Sequence, residues 1–175
     1  LTGGQGGTTG QTLYNNIPSM PGMTVTATVP VYSNSNYYYI PYLFDSGWQV
    51  YSHTTYWLAA SGTENTFTFD FGRSVALTRA VLYPKCRPDS GAADFQLFGG
   101  GEALSDRISN PDAVEGTSYE IMIGRMLGQL EVQMWKTAGS YFGFAEIQLY
   151  EAQTLDQTNH VFWADRLPAY HEFAG

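Results

Sequence analysis

Basic residues are scarce in this sequence of 175 residues. Eight Lys and Arg stand against sixteen Asp and Glu, which gives a formal net charge of −8. Nucleic-acid binding relies on clustered Lys and Arg side chains that neutralise phosphates. Only Lys85 and Arg87 lie close together in the sequence, so we expect no nucleic-acid partner.

Cysteine and long apolar runs are also lacking. The one cysteine, Cys86, cannot form a disulfide within the chain and is too few for a thiolate zinc site. No stretch approaches the roughly 18 apolar residues that a membrane-spanning helix needs. A disulfide-built scaffold and a membrane span are therefore excluded, whereas an extracellular protein without disulfides is not.

Motifs of catalysis are absent from the sequence as well. The chain contains neither the HExxH motif of zinc enzymes nor the GxSxG nucleophile elbow. The glycines at 99–101 lack the third glycine and the following helix of a dinucleotide-binding loop. The sequence therefore predicts a protein that is not an enzyme.

The residues that are abundant favour strands and turns. Aromatic residues make up 15% of the chain, and charged residues only 14%, well below the roughly 25% of an average soluble domain. Tyr, Phe, Thr, Ser and Gly are typical of strands and of the turns that join them.

Apolar and polar residues alternate with a period of two in several short segments, which predicts half-buried strands. One segment places Met23, Val25 and Ala27 between threonines, and another ends at Gly72. The pattern predicts an all-β fold, an antiparallel β-sandwich or jelly roll with almost no α-helix. Its predicted core residues are Phe67, Phe69, Phe71, Leu82, Leu97, Val132, Ile147 and Leu149.

The composition divides the chain into three parts. Residues 1–22 form a Gly-rich N-terminal arm, residues 23–151 the β-sandwich, and residues 152–175 a C-terminal arm. The C-terminal arm carries Phe162, Trp163, Leu167 and Tyr170, which a single sandwich would leave partly exposed. We expect at least one arm to lie on a neighbouring copy, so that the protein forms a homo-oligomer or polymer.

Four short motifs occur in an order that resembles the discoidin family, also called coagulation factor 5/8 C-type or galactose-binding-like domains. A turn of the "fDG" type is matched by residues 43–47, with Ser46 as an extra residue, and a "TxW" element by residues 55–57. A strand of the type "hxhDhG", in which h is apolar, is matched by residues 67–72, and a closing "AEIxhY" strand by residues 145–150. The family includes the family-32 carbohydrate-binding modules and fucose-binding lectins. Residues 127–135 lack the "RYI/RYV" core of many members.

This resemblance implies a structural calcium ion beneath the loops. The side-chain ligands would be Asp45 and Glu146, supported by carbonyls near Tyr42 and Gly47 and by oxygen atoms of Thr55. Ca²⁺ takes six to eight oxygen ligands and tolerates irregular loops. In the alternative interpretation, Asp45 only caps a turn and Glu146 is solvated at a strand edge.

The lectin branch of the family also implies a sugar site at the loop end. His53 lies in a segment similar to the lectin "THT" loop, and Lys85 and Arg87 stand where family members place basic groups. Alternatively, His53 is an ordinary loop residue, and for Trp57 we expect a place in the core. The apolar face of a sugar would rest on aromatic side chains, for which the candidates are Trp48, Tyr51 and Tyr56.

Two functions of different class follow from this sequence. The first is a carbohydrate-binding, lectin-like module for galactose- or fucose-type glycans, located outside the cell or on a cell surface. The second is a structural subunit of a virion or an extracellular filament. One fold can serve both roles.

Overall fold

The computed structural model describes residues 11–14, 22–32, 40–44, 56–87, 90–91, 94–109, 114, 116–136 and 143–152. Within these ranges the fold has twelve strands, and its one helical element is the 3₁₀ helix Ile40–Phe44. Every strand pair is antiparallel. The predicted all-β class is therefore confirmed. No helix in the described part of the chain is long and apolar enough to cross a membrane.

The strands are numbered in chain order. They are β1 (Gln11–Tyr14), β2 (Thr24–Ala27), β3 (Trp57–Leu58), β4 (Glu64–Tyr83), β5 (Lys85–Arg87), β6 (Ser90–Gly91), β7 (Asp94–Gly99), β8 (Glu102–Ala103), β9 (Ile108–Ser109), β10 (Tyr119–Trp135), β11 (Gly143–Phe144) and β12 (Glu146–Ala152).

Two long strands, β4 and β10, form the backbone of the fold. Residues 64–70 of β4 pair with residues 129–135 of β10, and residues 75–82 pair with residues 119–127. The sequence pattern predicted that β4 ends at Gly72, but the strand continues beyond it. Gly72 adopts a φ of +67°, and its amide donates to Asp70 Oδ1 over 2.9 Å. The register of β4 with β10 shifts around Gly72, which forms a β-bulge. The strand bends at this bulge and continues to Tyr83.

The bend divides the long ribbon between two layers. The first part of β4 pairs with β2, and the last part of β10 pairs with β7. The second part of β4 pairs with β12, which pairs with β1. Side chains from both parts belong to one apolar core, as in a β-sandwich. Strand β1 lies within the segment that the sequence analysis assigned to the N-terminal arm, so the sheet begins before residue 23.

The core is filled by the residues that the alternation predicts. All eight predicted core residues are fully buried. Trp57 is fully buried too, with its ring centroid 4.7 Å from that of Phe67 in an edge-to-face contact, which confirms its predicted place. Trp57 belongs to the small β3–β11 sheet, where it pairs with Phe144. The ring centroid of Phe44, in the 3₁₀ helix, lies 5.7 Å from that of Phe69.

Removing the Phe69 ring should therefore destabilise the protein strongly. We expect Phe69→Ala to lower the free energy of unfolding by about 3–5 kcal/mol, because it leaves a cavity between the layers. Thr68→Ala is the matched control, since Thr68 is the adjacent, outward-facing residue of the same strand. Urea denaturation followed by circular dichroism measures both variants, and equal losses would contradict the assigned faces of β4.

Candidate functional site

The predicted site residues divide into those that the structure describes and those that it does not. Tyr42, Lys85 and Glu146 are described, and Arg87 is placed by its backbone at the end of β5. The remaining predicted residues lie outside the described residues: Asp45, Gly47, Trp48, Tyr51, His53 and Thr55.

Glu146 is the first residue of β12 and is fully buried. The alternative in which Glu146 is solvated at a strand edge is therefore wrong. Its register partner is Tyr83, at the end of β4. Tyr83 belongs to a small apolar cluster with Tyr56, Leu58 and Ala145. The cluster covers the outward face of β12 at its start, where the alternation alone would predict exposure to solvent.

The pKa of the Tyr83 hydroxyl depends on its burial and on its neighbours, which include Glu146. Burial is the largest cause that raises the pKa of Tyr83 above its usual 10.0, and electrostatic interactions with Tyr150 and Glu146 act in the same direction. A hydrogen bond with the Ser118 side chain lowers the pKa and offsets part of this rise. The phenol is therefore protonated at neutral pH and can act as a hydrogen-bond donor.

Several predicted site segments meet at this end of the sandwich. The 3₁₀ helix that carries Tyr42 lies against β12 and β3, and the β5–β6 hairpin that carries Lys85 and Arg87 lies beside β11. Strand β11 ends at Phe144, two residues before Glu146, and the amide of Ala145 donates to the Tyr83 carbonyl over 2.9 Å. The structure thus brings together the elements that hold Tyr42, Lys85, Arg87 and Glu146. We call this region the loop end.

Tyr56 is not available as a sugar platform. It is only 1% exposed, because it packs in the cluster with Leu58 and Tyr83 instead of facing solvent. This outcome corrects the prediction for Tyr56 and leaves Trp48 and Tyr51 as the aromatic candidates.

Sequence reasoning missed Tyr83 and Ser118 as members of this region. Tyr83 meets Glu146 only through the antiparallel register of β4 with β12, which joins positions far apart in the chain. The one local signal is that Tyr83 precedes Pro84, which separates β4 from β5.

Most of the other basic side chains of the described residues form ion pairs that include none of the predicted site residues. In each of these pairs the nitrogen–oxygen distance is 2.7–2.9 Å. The pairs are Arg73–Glu151, Arg79–Glu120, Arg107–Asp94 and Arg125–Glu102. These four arginines are engaged with carboxylates, whereas the β5–β6 hairpin places Lys85 and Arg87 at the loop end.

The described part of the chain contains no group of three or more His, Cys, Asp and Glu side chains that could hold a metal ion. Of the two predicted carboxylate ligands, Glu146 is described and Asp45 directly follows the 3₁₀ helix in the sequence. Both are hard oxygen donors of the kind that Ca²⁺ prefers.

Comparison with solved structures identifies the fold. An F5/8 type C domain from Bacteroides fragilis has a TM-score of 0.52 and 19% identity, over 76% of this chain and 93% of that one. The family 32 carbohydrate-binding module of C. perfringens NanJ, in complex with galactose, has a TM-score of 0.53 and 12% identity, over 81% and 99%. Allantoicase from Saccharomyces cerevisiae has a TM-score of 0.56 and 12% identity, over 81% and 43%.

These similarities establish a galactose-binding-like β-sandwich of the kind found in discoidin-type domains. No family model matches the sequence, and no curated protein sequence matches it. The fold occurs both in a carbohydrate-binding module and within an enzyme structure, so the fold by itself does not assign the function.

The raised pKa of Tyr83 predicts how stability depends on alkaline pH. The unfolded chain loses this phenolic proton near pH 10, whereas the folded protein retains it to higher pH. The contribution is therefore fully present below pH 10 and is lost as the pH rises through the folded pKa.

We expect Tyr83→Phe to reduce the fall in melting temperature between about pH 9 and pH 11, because this variant has no proton to lose. Tyr32→Phe, at an exposed tyrosine, is the control. A fall that is as steep in Tyr83→Phe as in the parent protein would show that Tyr83 is not shielded in the folded state.

Proposed function

We propose that this chain is a non-catalytic glycan-binding module whose site lies at the loop end. Lys85 and Arg87, together with His53, would donate hydrogen bonds to sugar hydroxyls. Trp48 and Tyr51 would pack against the apolar face of the ring. The ligand class is a galactose- or fucose-type glycan outside the cell or on a cell surface.

The observation that carries this proposal is the position of the β5–β6 hairpin. Lys85 and Arg87 follow β4 directly, and their hairpin lies beside β11 at the end of the sandwich where Glu146 is buried. The other arginines of the described residues form ion pairs with carboxylates. The structural similarity to a module in complex with galactose supports the same ligand class.

The chemistry of a sugar fits such a set of side chains. Neighbouring hydroxyls accept hydrogen bonds from charged donors, and these are stronger than hydrogen bonds between neutral groups. The C–H face of the ring is apolar and packs on an aromatic side chain. None of these contacts requires a nucleophile or a general base, which agrees with the absence of catalytic motifs from the sequence.

We further propose a calcium ion bound by Asp45 and Glu146, with support from carbonyls near Tyr42 and Gly47 and from Thr55. The support is the complete burial of Glu146. Burying a carboxylate is unfavourable unless a cation or hydrogen bonds compensate for the lost hydration. Such an ion would connect the 3₁₀ helix to β12 and hold the loops in place.

Glycan binding should depend on the charge of Arg87. Galactose and fucose are titrated by isothermal calorimetry, after a glycan array has identified the preferred ligand. We expect Arg87→Ala to weaken binding by about 1–3 kcal/mol, the usual range for a charge-assisted hydrogen bond. Arg73→Ala, which removes an exposed arginine paired with Glu151, should leave the affinity unchanged. Binding that survives a combined His53→Ala and Arg87→Ala change would place the site elsewhere.

Calcium should stabilise the folded state because it binds the native loops. We expect a chelator to lower the melting temperature and added Ca²⁺ to restore it. Glu146→Gln should remove the response to Ca²⁺, whereas Glu120→Gln, at an exposed residue of β10, should keep it. An identical melting curve with and without chelator, together with elemental analysis that finds no metal, would contradict the site.

A structural subunit of a virion or filament is the second candidate function. It is favoured by two large apolar side chains on the surface of β10, Met122 and Met126, which are 68% and 62% exposed. Exposed apolar side chains close together often mark a surface that another element covers. In this candidate the covering element belongs to a neighbouring copy, and the protein forms a homo-oligomer or polymer.

A further inference from the structure

Tyr83 occupies the point at which the chain leaves the large sheet for the β5–β6 hairpin. It is the last residue of β4, and only Pro84 separates it from Lys85, the first residue of β5. A proline has a fixed φ, and the residue before it is confined to an extended conformation. The direction in which the hairpin leaves the sheet therefore depends on how Tyr83 is held, and with it the positions of Lys85 and Arg87.

The backbone of Tyr83 is held by the strand beside it. Tyr83 is the register partner of Glu146, the first residue of β12, and its carbonyl accepts a hydrogen bond of 2.9 Å from the amide of Ala145. Strand β11 ends one residue before Ala145 and lies beside both strands of the hairpin. One short segment thus contacts both Tyr83 and the hairpin.

The ring of Tyr83 is held by apolar packing. Tyr83 is buried and belongs to the cluster that includes Tyr56 and Leu58. Tyr56 lies three residues after His53 in the sequence, and Lys85 lies two residues after Tyr83. Both segments that carry predicted sugar-binding residues are therefore joined in sequence to members of the same cluster.

The hydroxyl of Tyr83 provides the third contact. It forms a hydrogen bond with the side chain of Ser118, which immediately precedes β10. Tyr119 of β10 pairs with Leu82 of β4, so the next position along this register places Ser118 beside Tyr83. Strand β10 lies on the side of β4 opposite to β12. Tyr83 is thus held from both neighbouring strands.

The presence of a hydroxyl on this buried ring indicates a role in orientation. A phenylalanine would fill the same apolar cluster without the unfavourable burial of a polar group. Apolar packing is not directional, whereas a hydrogen bond has a restricted geometry. The bond with Ser118 therefore fixes one orientation of the ring and one approach of β10 to the end of β4.

We propose that the Tyr83 hydroxyl is a positioning group of the loop end, which acts through Ser118 to fix the base of the β5–β6 hairpin and thereby the placement of Lys85 and Arg87. Tyr83 acts through these two residues and not by touching the sugar. The effect on sugar affinity rests on the proposed function, whereas the effect on the hairpin does not.

Hydrogen exchange of individual amides in the full-length protein, followed by nuclear magnetic resonance, tests the effect on the hairpin. Tyr83→Phe keeps the ring in the cluster and removes only the hydroxyl. We expect the amides of residues 85–87 and 90–91 to exchange at least about fivefold faster in Tyr83→Phe and in Ser118→Ala than in the parent protein. Ser118→Thr keeps a hydroxyl and should retain the parent rates.

Tyr150→Phe is the matched control, because it removes a hydroxyl four residues from Glu146 along β12. The Tyr150 ring stacks 4.0 Å from the Arg79 guanidinium, and phenylalanine keeps this contact. Exchange in the hairpin should be unchanged in this variant. Core amides of β4 should keep their protection in every variant, which separates a local effect from a general loss of stability.

Calorimetric titration with the preferred sugar tests the effect on the ligand. We expect Tyr83→Phe and Ser118→Ala each to weaken binding about three- to tenfold, in line with the loss of one hydrogen bond. The double variant should be no weaker than the weaker single variant, because both changes remove the same bond. Ser118→Thr should bind as the parent protein does.

The two measurements separate this inference from the proposed function. A parent protein that binds no sugar would show the proposed function to be wrong, and the exchange rates alone would then decide whether Tyr83 holds the hairpin. The positioning role is overturned if Tyr83→Phe leaves the exchange of residues 85–87 and 90–91 unaltered, or if the core amides of β4 lose protection to the same extent. It is also overturned if the parent protein binds a sugar and Tyr83→Phe binds it equally well.

Discussion

The antiparallel pairing of β4 with β10 is the interaction on which the other elements depend. Both strands run through the two layers, and each layer is completed by strands that pair with them: β2 and β7 in one, β12 in the other. The bulges near Gly72 and between Leu127 and Gln129 let this ribbon bend, so that its two halves enclose one core. The loop end is built on this ribbon.

Much of the fold could be predicted from local patterns, because burial on one face of a strand produces a visible alternation. The phenylalanines of β4 and the apolar residues of β7 and β12 were predicted correctly as core. The continuity of β4 through Gly72 was not predicted, because a glycine after a strand usually indicates its end. Residues 119–126 of β10 were not predicted as a strand either, because exposed methionines and Gly124 interrupt their alternation.

The candidate site was less predictable because its members meet through long-range register. Glu146 is buried although its position in the alternation resembles that of solvent-facing Gln148, and the difference arises from the cluster around Tyr83. Tyr56 likewise belongs to this cluster and does not present a sugar platform. The motifs of discoidin-type domains led to segments that lie close together in the fold, because such motifs mark turns and strand ends that the fold requires. The roles of His53 and Asp45 in ligand binding remain predictions.

The central functional claim is that a glycan binds at the loop end. Its most direct test is the titration of ¹⁵N-labelled protein with galactose and fucose, in which backbone amide shifts locate the binding surface. We expect the shifts that change with sugar concentration to cluster in residues 83–87 and 143–146. An absence of saturable changes with either sugar, or changes confined to the β7–β8 turn and the middle of β10 (residues 99–101 and 126–129), would contradict this claim.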